Sequence, residues 1–245
     1  MLPEMIEPRI WAALAVVFCA GIMRGFTGFG AAMMIMPVLS TLFPPAEAVA
    51  IMMSLTLAAT AQMMPKAFGT TNWREVFPIT IAALLAVPLG GLVLISLEPD
   101  IMRRAISIGV LFFGTVLATG WRWSGKPTTT GAVIAGGLSG AINGASGAGG
   151  GPVILYLLAG PNQAETNRAN LISYYAILNA FTAINLAFHG VFTWQVVGRA
   201  GILAIPFMTA IWLGSHLFFR ASEGAYRKIA LAALVGAGFY GLLAP

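Results

Sequence analysis

Cysteine, histidine and charge are all scarce in this chain, and each scarcity removes a class of function. Cys19 is the only cysteine, which excludes disulfide frameworks, thiolate metal sites and dithiol electron carriers. The two histidines, His189 and His216, are too separated to suggest a metal site. Charged residues make up 9% of the 245, far too few to cover a soluble domain of this length. Nor is there a basic cluster with interleaved aromatics, so the net charge of +5 reads as loops flanking lipid headgroups and not as a nucleic-acid surface. No Ser/His/Asp set, His/Glu cluster or CxxC pair lies in the apolar segments. No catalytic residue, metal or cofactor is therefore expected, and the chain does not read as an enzyme.

What is present is apolar. Hydrophobic residues make up 58% and the mean hydropathy is +0.87. Runs of roughly 17 to 25 apolar residues recur along the chain, as a bilayer core about 30 Å thick requires. The expected fold is an all-α polytopic membrane protein. The start, MLPEMIEPRI, is acidic and no A-x-A-like site follows the first apolar run, so that run is expected to stay in the protein.

The chain reads as one unit written twice. GFTGFGAAMMIMP at 25–37 lines up with GASGAGGGPVILY at 144–156, 119 residues later. Gly25 falls on Gly144, Thr27 on Ser146, Gly28 on Gly147, Gly30 on Gly149 and Arg24 on Asn143. At the same offset Ser54 falls on Ser173 and Thr60 on Asn179; with small gaps Trp73 meets Trp194 and Pro88 meets Pro206. The two repeats are 1–122 and 123–245, joined near WRWSGKPTTTG and forming one membrane domain. Each holds a glycine-broken segment, at about 9 to 43 and 130 to 160. Three continuous stretches follow, near 46–66, 74–97 and 101–120, then 167–188, 195–218 and 225–243.

Loop charge weighs two topologies. If each broken segment is one kinked span, the repeats are parallel and Lys/Arg divide evenly between the faces. If it is re-entrant, the repeats are inverted. One face then holds Lys66, Arg74, Arg122, Lys126, Arg168, Arg220, Arg227 and Lys228, and the other only Arg9, Arg103, Arg104 and Arg199. The second distribution is the ordinary positive-inside asymmetry, so re-entrant, inverted repeats are expected.

Glycine-rich irregular backbone at membrane depth must line a cavity or be buried in protein, because lipid offers no hydrogen-bond partner. Half-helices beginning after Gly28 and Gly30, and after Gly147, Gly149 and Gly150, would turn unpaired N–H groups and positive dipole ends toward one point. Thr27 and Ser146 would add hydroxyls, Arg24 a charge and Asn143 its neutral counterpart. Along 165–190, Asn167, Asn170, Ser173 and Tyr174 recur at steps of three and four, as do Asn179, Thr182, Asn185 and His189. Such polar faces either line a pathway or hydrogen-bond between helices, and Ser54, Asn170 and Ser173 complete the candidate anion site. Gly21, Gly136 and Gly140, spaced by four with their neighbours, read instead as helix-packing contacts. Arg168 reads as a headgroup or loop contact, with snorkelling into a vestibule as the alternative, Glu47 and Glu165 as first-turn helix caps, and Trp11, Trp73, Trp121, Trp123 and Trp194 as an aromatic belt. A P-loop is excluded because GASGAGGGP lacks Lys-Ser/Thr.

The paired motifs GFTGFGAAMMIMPVL and GASGAGGGPVILYLL, with TNW and FTW before the third spans, resemble the sulfite exporter TauE/SafE family over essentially the whole chain. That resemblance implies a multi-pass protein of the bacterial inner membrane that moves sulfite or organosulfonates, generally outward. It carries the family glycines to Gly28, Gly30, Gly147, Gly149, Gly150 and Gly151, while Ala31 and Ala32 depart from the usual pattern. The expected function is a secondary transporter, an exporter of a small sulfur-containing oxyanion; a passive anion channel, or a carrier of another small organic anion, is the alternative. A small anion and the lipid bilayer are the expected partners, nucleic acid is not, and a homo-oligomer is compatible with the sequence.

Overall fold

The computed structural model describes residues 8–27, 30–119, 128–160, 162–217, 236 and 238–241. Regular structure among the elements assigned there is helical: α1 (Pro8–Thr27), α2 (Ala31–Leu42), α3 (Pro45–Ala67), α4 (Trp73–Ser96), α5 (Pro99–Ala118), α6 (Thr129–Ser146), α7 (Gly150–Leu158), α8 (Ala164–Phe188) and α9 (Trp194–Leu217). Boundaries agree with the expected stretches to within a few residues, because Pro and Gly punctuate the apolar runs. Pro45 opens α3 in the first turn, where its missing N–H has no intrahelical acceptor to lose. The expected last stretch falls mostly outside the described residues. So do Gly28, Trp121, Trp123, Arg122, Lys126, Arg220, Arg227 and Lys228, and the side chain of Thr27.

Helices α3, α4, α8 and α9 are long and apolar enough to cross a membrane, with spans of 23 to 25 residues, or about 35 Å at 1.5 Å per residue. The chain is an all-α polytopic membrane protein. Leu85, Leu89, Phe188, Ile205 and Trp212 point outward, where lipid replaces a polar solvent. By contrast α2 has 12 residues and α7 has 9, about 18 and 14 Å, each too short to cross alone.

Two tight helix pairs organise the bundle, and glycine makes both. Along α6, Gly136, Gly140 and Gly144 meet the Ile79, Ala83 and Val87 carbonyls of α4 in order, so the two helices run in the same direction. Any Cβ at Gly140 would collide with the Ala83 carbonyl. Gly21 of α1 likewise packs on Phe207 and Ala210 of α9, and Gly25 on Ile211 and Ser215 one turn later. These are the packing glycines that the spacing of four predicts. Helix α8 begins where α3 ends: Thr71 and Ser173 hydroxyls lie 2.7 Å apart, and Asn72 N–H donates to Asn170 Oδ1 at 2.8 Å. Helices α3 and α8 are therefore antiparallel.

The other end of α3 is pinned by charge. Arg199, near the start of α9, donates to Glu47 at the start of α3 at 2.7 Å, and its guanidinium stacks 5.0 Å from the Phe43 ring centroid. Glu47 does sit in the first turn of α3, but Arg199 takes its carboxylate, which the capping expectation missed because the partner is remote in sequence. On the opposite face Glu75 Oε2 accepts from Asn162 at 2.6 Å and Asn170 at 3.0 Å.

Candidate anion site

Both glycine clusters end one helix and start another. Helix α6 stops at Gly147, which takes a left-handed φ of 66° and donates to the Asn143 carbonyl at 2.8 Å. Two residues later Gly149 caps the start of α7. In the first half, Gly30 precedes α2 with a φ of 88°. Such values strain any residue with a Cβ, so glycine is what permits each break.

The second break is braced by side chains. Asn143 donates from Nδ2 to Asn179 Oδ1 at 3.2 Å and Thr182 Oγ1 at 3.0 Å, and its Oδ1 receives Gly149 N–H at 3.4 Å. Ser139 donates to the Gly149 carbonyl and accepts from Tyr174 Oη at 2.8 Å. Ser146 Oγ donates to the Ile142 carbonyl at 2.7 Å and receives Ala148 N–H at 3.2 Å. The irregular backbone therefore keeps hydrogen-bond partners at membrane depth.

Between the breaks lies a cavity of about 20 Å³, room for about one water-sized group. It gathers Arg24 and Gly30 from the first half and Asn143, Gly147, Gly149 and Gly150 from the second. Arg24 is 4% exposed, and its Nε has no hydrogen-bond acceptor. Among the described residues no Asp or Glu lines the cavity. A buried guanidinium without a counter-charge is costly in a low-dielectric interior unless an anion visits it. Facing it, the first N–H groups of α7 have no carbonyl acceptor within their own helix.

Comparison with known proteins identifies the family. A profile described as sulfite exporter TauE/SafE matches residues 13–241. The chain belongs to the sulfite exporter TauE/SafE family. It is 27% identical over 221 residues to the "Probable sulfite/organosulfonate exporter TauE" of Cupriavidus necator, covering 86% of this chain and 85% of that protein. No solved structure matches it. The TauE/SafE assignment names a transporter family and not an enzyme family. Among the described residues no group of three or more His, Cys, Asp or Glu could hold a metal.

Within this TauE/SafE chain the other candidate residues lie elsewhere. Ser54 is half-buried and donates to the Ala50 carbonyl of its own helix at 3.0 Å. Ser146 braces the break from behind, without lining the cavity. Asn170 and Ser173 belong to the junction of α8 with the α3–α4 corner. Arg168 donates from Nη2 to the Gly25 carbonyl at 3.1 Å, next to Arg24, a contact within the protein that the headgroup reading did not name. The cavity also holds Thr56, Met33, Ile154 and Tyr175, which sequence reasoning missed, and Asn179, which it placed only on a polar helix face. Tyr175 and Asn179 are four residues apart on α8 and so share one face, a signal that attention to the Asn/Ser spacing overlooked.

Proposed function

We propose that this TauE/SafE member is a secondary transporter that exports a small sulfur-containing oxyanion, sulfite or an organosulfonate, by alternating access around two half-helix tips. The observation that carries the reading is Arg24: a buried guanidinium whose Nε lacks an acceptor, lining a cavity between two glycine breaks. The matched relative is named for sulfite and organosulfonate export. A cavity of about 20 Å³ is smaller than such an anion, so the site must widen to admit one, and a carrier that opens fits it better than a standing pore.

The helix directions support inverted, re-entrant repeats. Helix α1 runs with α9 and α6 with α4, while α3 opposes α8. With α9 and α3 starting on one face, α1 starts there too and the short α2 returns to it; α6 and α7 do the same from the other face. This is the usual architecture of alternating access. By the charge rule the face bearing Lys66, Arg74 and Arg168 is cytoplasmic, in a bacterial inner membrane.

Flux of sulfite, methanesulfonate and other small anions into proteoliposomes tests the proposal. Saturable, substrate-dependent flux without single-channel currents is expected. No flux of any anion in the panel would overturn it, and large unitary currents would make it a channel.

A further inference from the structure

We infer that the cavity selects its ligand by charge number, accepting singly charged oxyanions and rejecting doubly charged ones. This rests on the reading of the cavity as the transport site. Arg24 is the one charged side chain among the described lining residues; the remaining polar side chains there, Thr56, Asn143, Asn179 and Tyr175, are neutral. Asn143 stands where the sequence repeat matches Arg24, so the second half supplies an amide in place of a second cation. Its Nδ2 is already engaged by Asn179 and Thr182.

A monoanion beside Arg24 brings this buried site to zero net charge. A dianion leaves one negative charge there that the neutral polar side chains, Met33, Ile154 and backbone of the lining cannot compensate, and an unpaired charge in a low-dielectric interior is strongly disfavoured. The N–H groups of α7 carry only partial charge, enough to orient oxygens but not to replace a second cation.

Other groups that could confuse a pH test are few. Tyr175 lines the cavity itself. Arg168, on α8, lies outside the lining and bonds the Gly25 carbonyl. His216, on α9 one residue beyond the Ser215 that packs on Gly25, is exposed, with Nδ1 2.8 Å from the Trp212 carbonyl. Helices α2, α3, α6 and α7 present no titratable side chain to the cavity.

The sulfite dianion takes up one proton near neutral pH and becomes the monoanion hydrogensulfite, methanesulfonate is a monoanion throughout, and sulfate is a dianion throughout. Binding of all three to the purified full-length protein is measured by calorimetry at about pH 6 and about pH 8, the range in which a histidine also titrates. Methanesulfonate is expected to bind equally at both, which controls for titration of the protein itself. Sulfite should weaken by roughly tenfold as pH rises, following its protonated fraction. Sulfate should bind at least about tenfold more weakly than methanesulfonate at either pH. Asn143→Lys, which adds a second cation, should narrow or reverse the sulfate deficit. Sulfate binding as tightly as methanesulfonate, or sulfite binding that strengthens with pH, overturns the selection rule while leaving the anion site standing. Failure of all three to bind the folded protein removes the anion site itself, and the rule with it.

Discussion

Arg24 and Asn143 lie at matching positions of two glycine motifs, and the difference between them defines the chemistry of the cavity. The arginine has no acceptor for Nε, while the asparagine is fully engaged in bracing the second break. Tyr175 is the other residue that matters at this scale. Its hydroxyl lies against Gly150 at the start of α7, where a Cβ would strike it. Tyr175→Phe removes one neutral donor from the cavity. KM should rise about fivefold, the equivalent of one hydrogen bond, with kcat nearly unchanged; an unchanged KM would make Tyr175 a packing residue only. The glycines and Arg24 were legible in the sequence because glycine runs and a lone arginine are out of place in an apolar segment. Tyr175 was not, since an aromatic in such a helix ordinarily packs. The spacing of Asn170, Ser173 and Asn179 marked a polar face on α8 correctly, but could not divide it between the α3–α4 corner and the cavity.

The helices themselves were readable to within a few residues, because length, hydropathy and Gly/Pro punctuation are local properties. Their partners were not. That α6 packs along α4, and α1 along α9, depends on which small residues meet across more than a hundred positions of sequence in the case of α1. These contacts make opposite predictions for neighbouring glycines on α6. Gly140→Ala drives a methyl into the Ala83 carbonyl, whereas a Cβ on Gly137 meets nothing within 4 Å. The first should lose about 1–3 kcal/mol as the helices are forced apart, and the second should be neutral or gain up to about 1 kcal/mol from helix propensity. Thermal unfolding in detergent reads both, and equal effects would contradict the packing. The Arg199–Glu47 pair, with side chains 19% and 29% exposed, should show a coupling of about 1–2 kcal/mol in a double-mutant cycle, between the values for exposed and buried pairs. Additive single mutants would reduce it to an incidental contact.

At the scale of the whole molecule, the arrangement predicts which loops share a face. Gly69, after α3, and His189, after α8, are both exposed; parallel repeats would put them on one face of the membrane and inverted repeats on opposite faces. In a Cys19→Ser background, Gly69→Cys and His189→Cys should react with an impermeant maleimide from opposite sides, Gly69→Cys from the cytoplasm. Labelling from the same side would contradict the inverted arrangement. The charge distribution over the loops already favoured that answer in the sequence, but it could not say that the two glycine breaks meet around one arginine. That convergence is a property of the assembled bundle. Its most direct test is exchange of labelled sulfite across proteoliposomes containing wild-type protein, Arg24→Gln or Arg24→Lys, with folding checked by thermal unfolding. The account predicts saturable exchange in the wild type, a loss of at least about 100-fold in Arg24→Gln, and partial retention in Arg24→Lys, which keeps the charge but not the guanidinium fork. Exchange by a folded Arg24→Gln protein at the wild-type rate would contradict it.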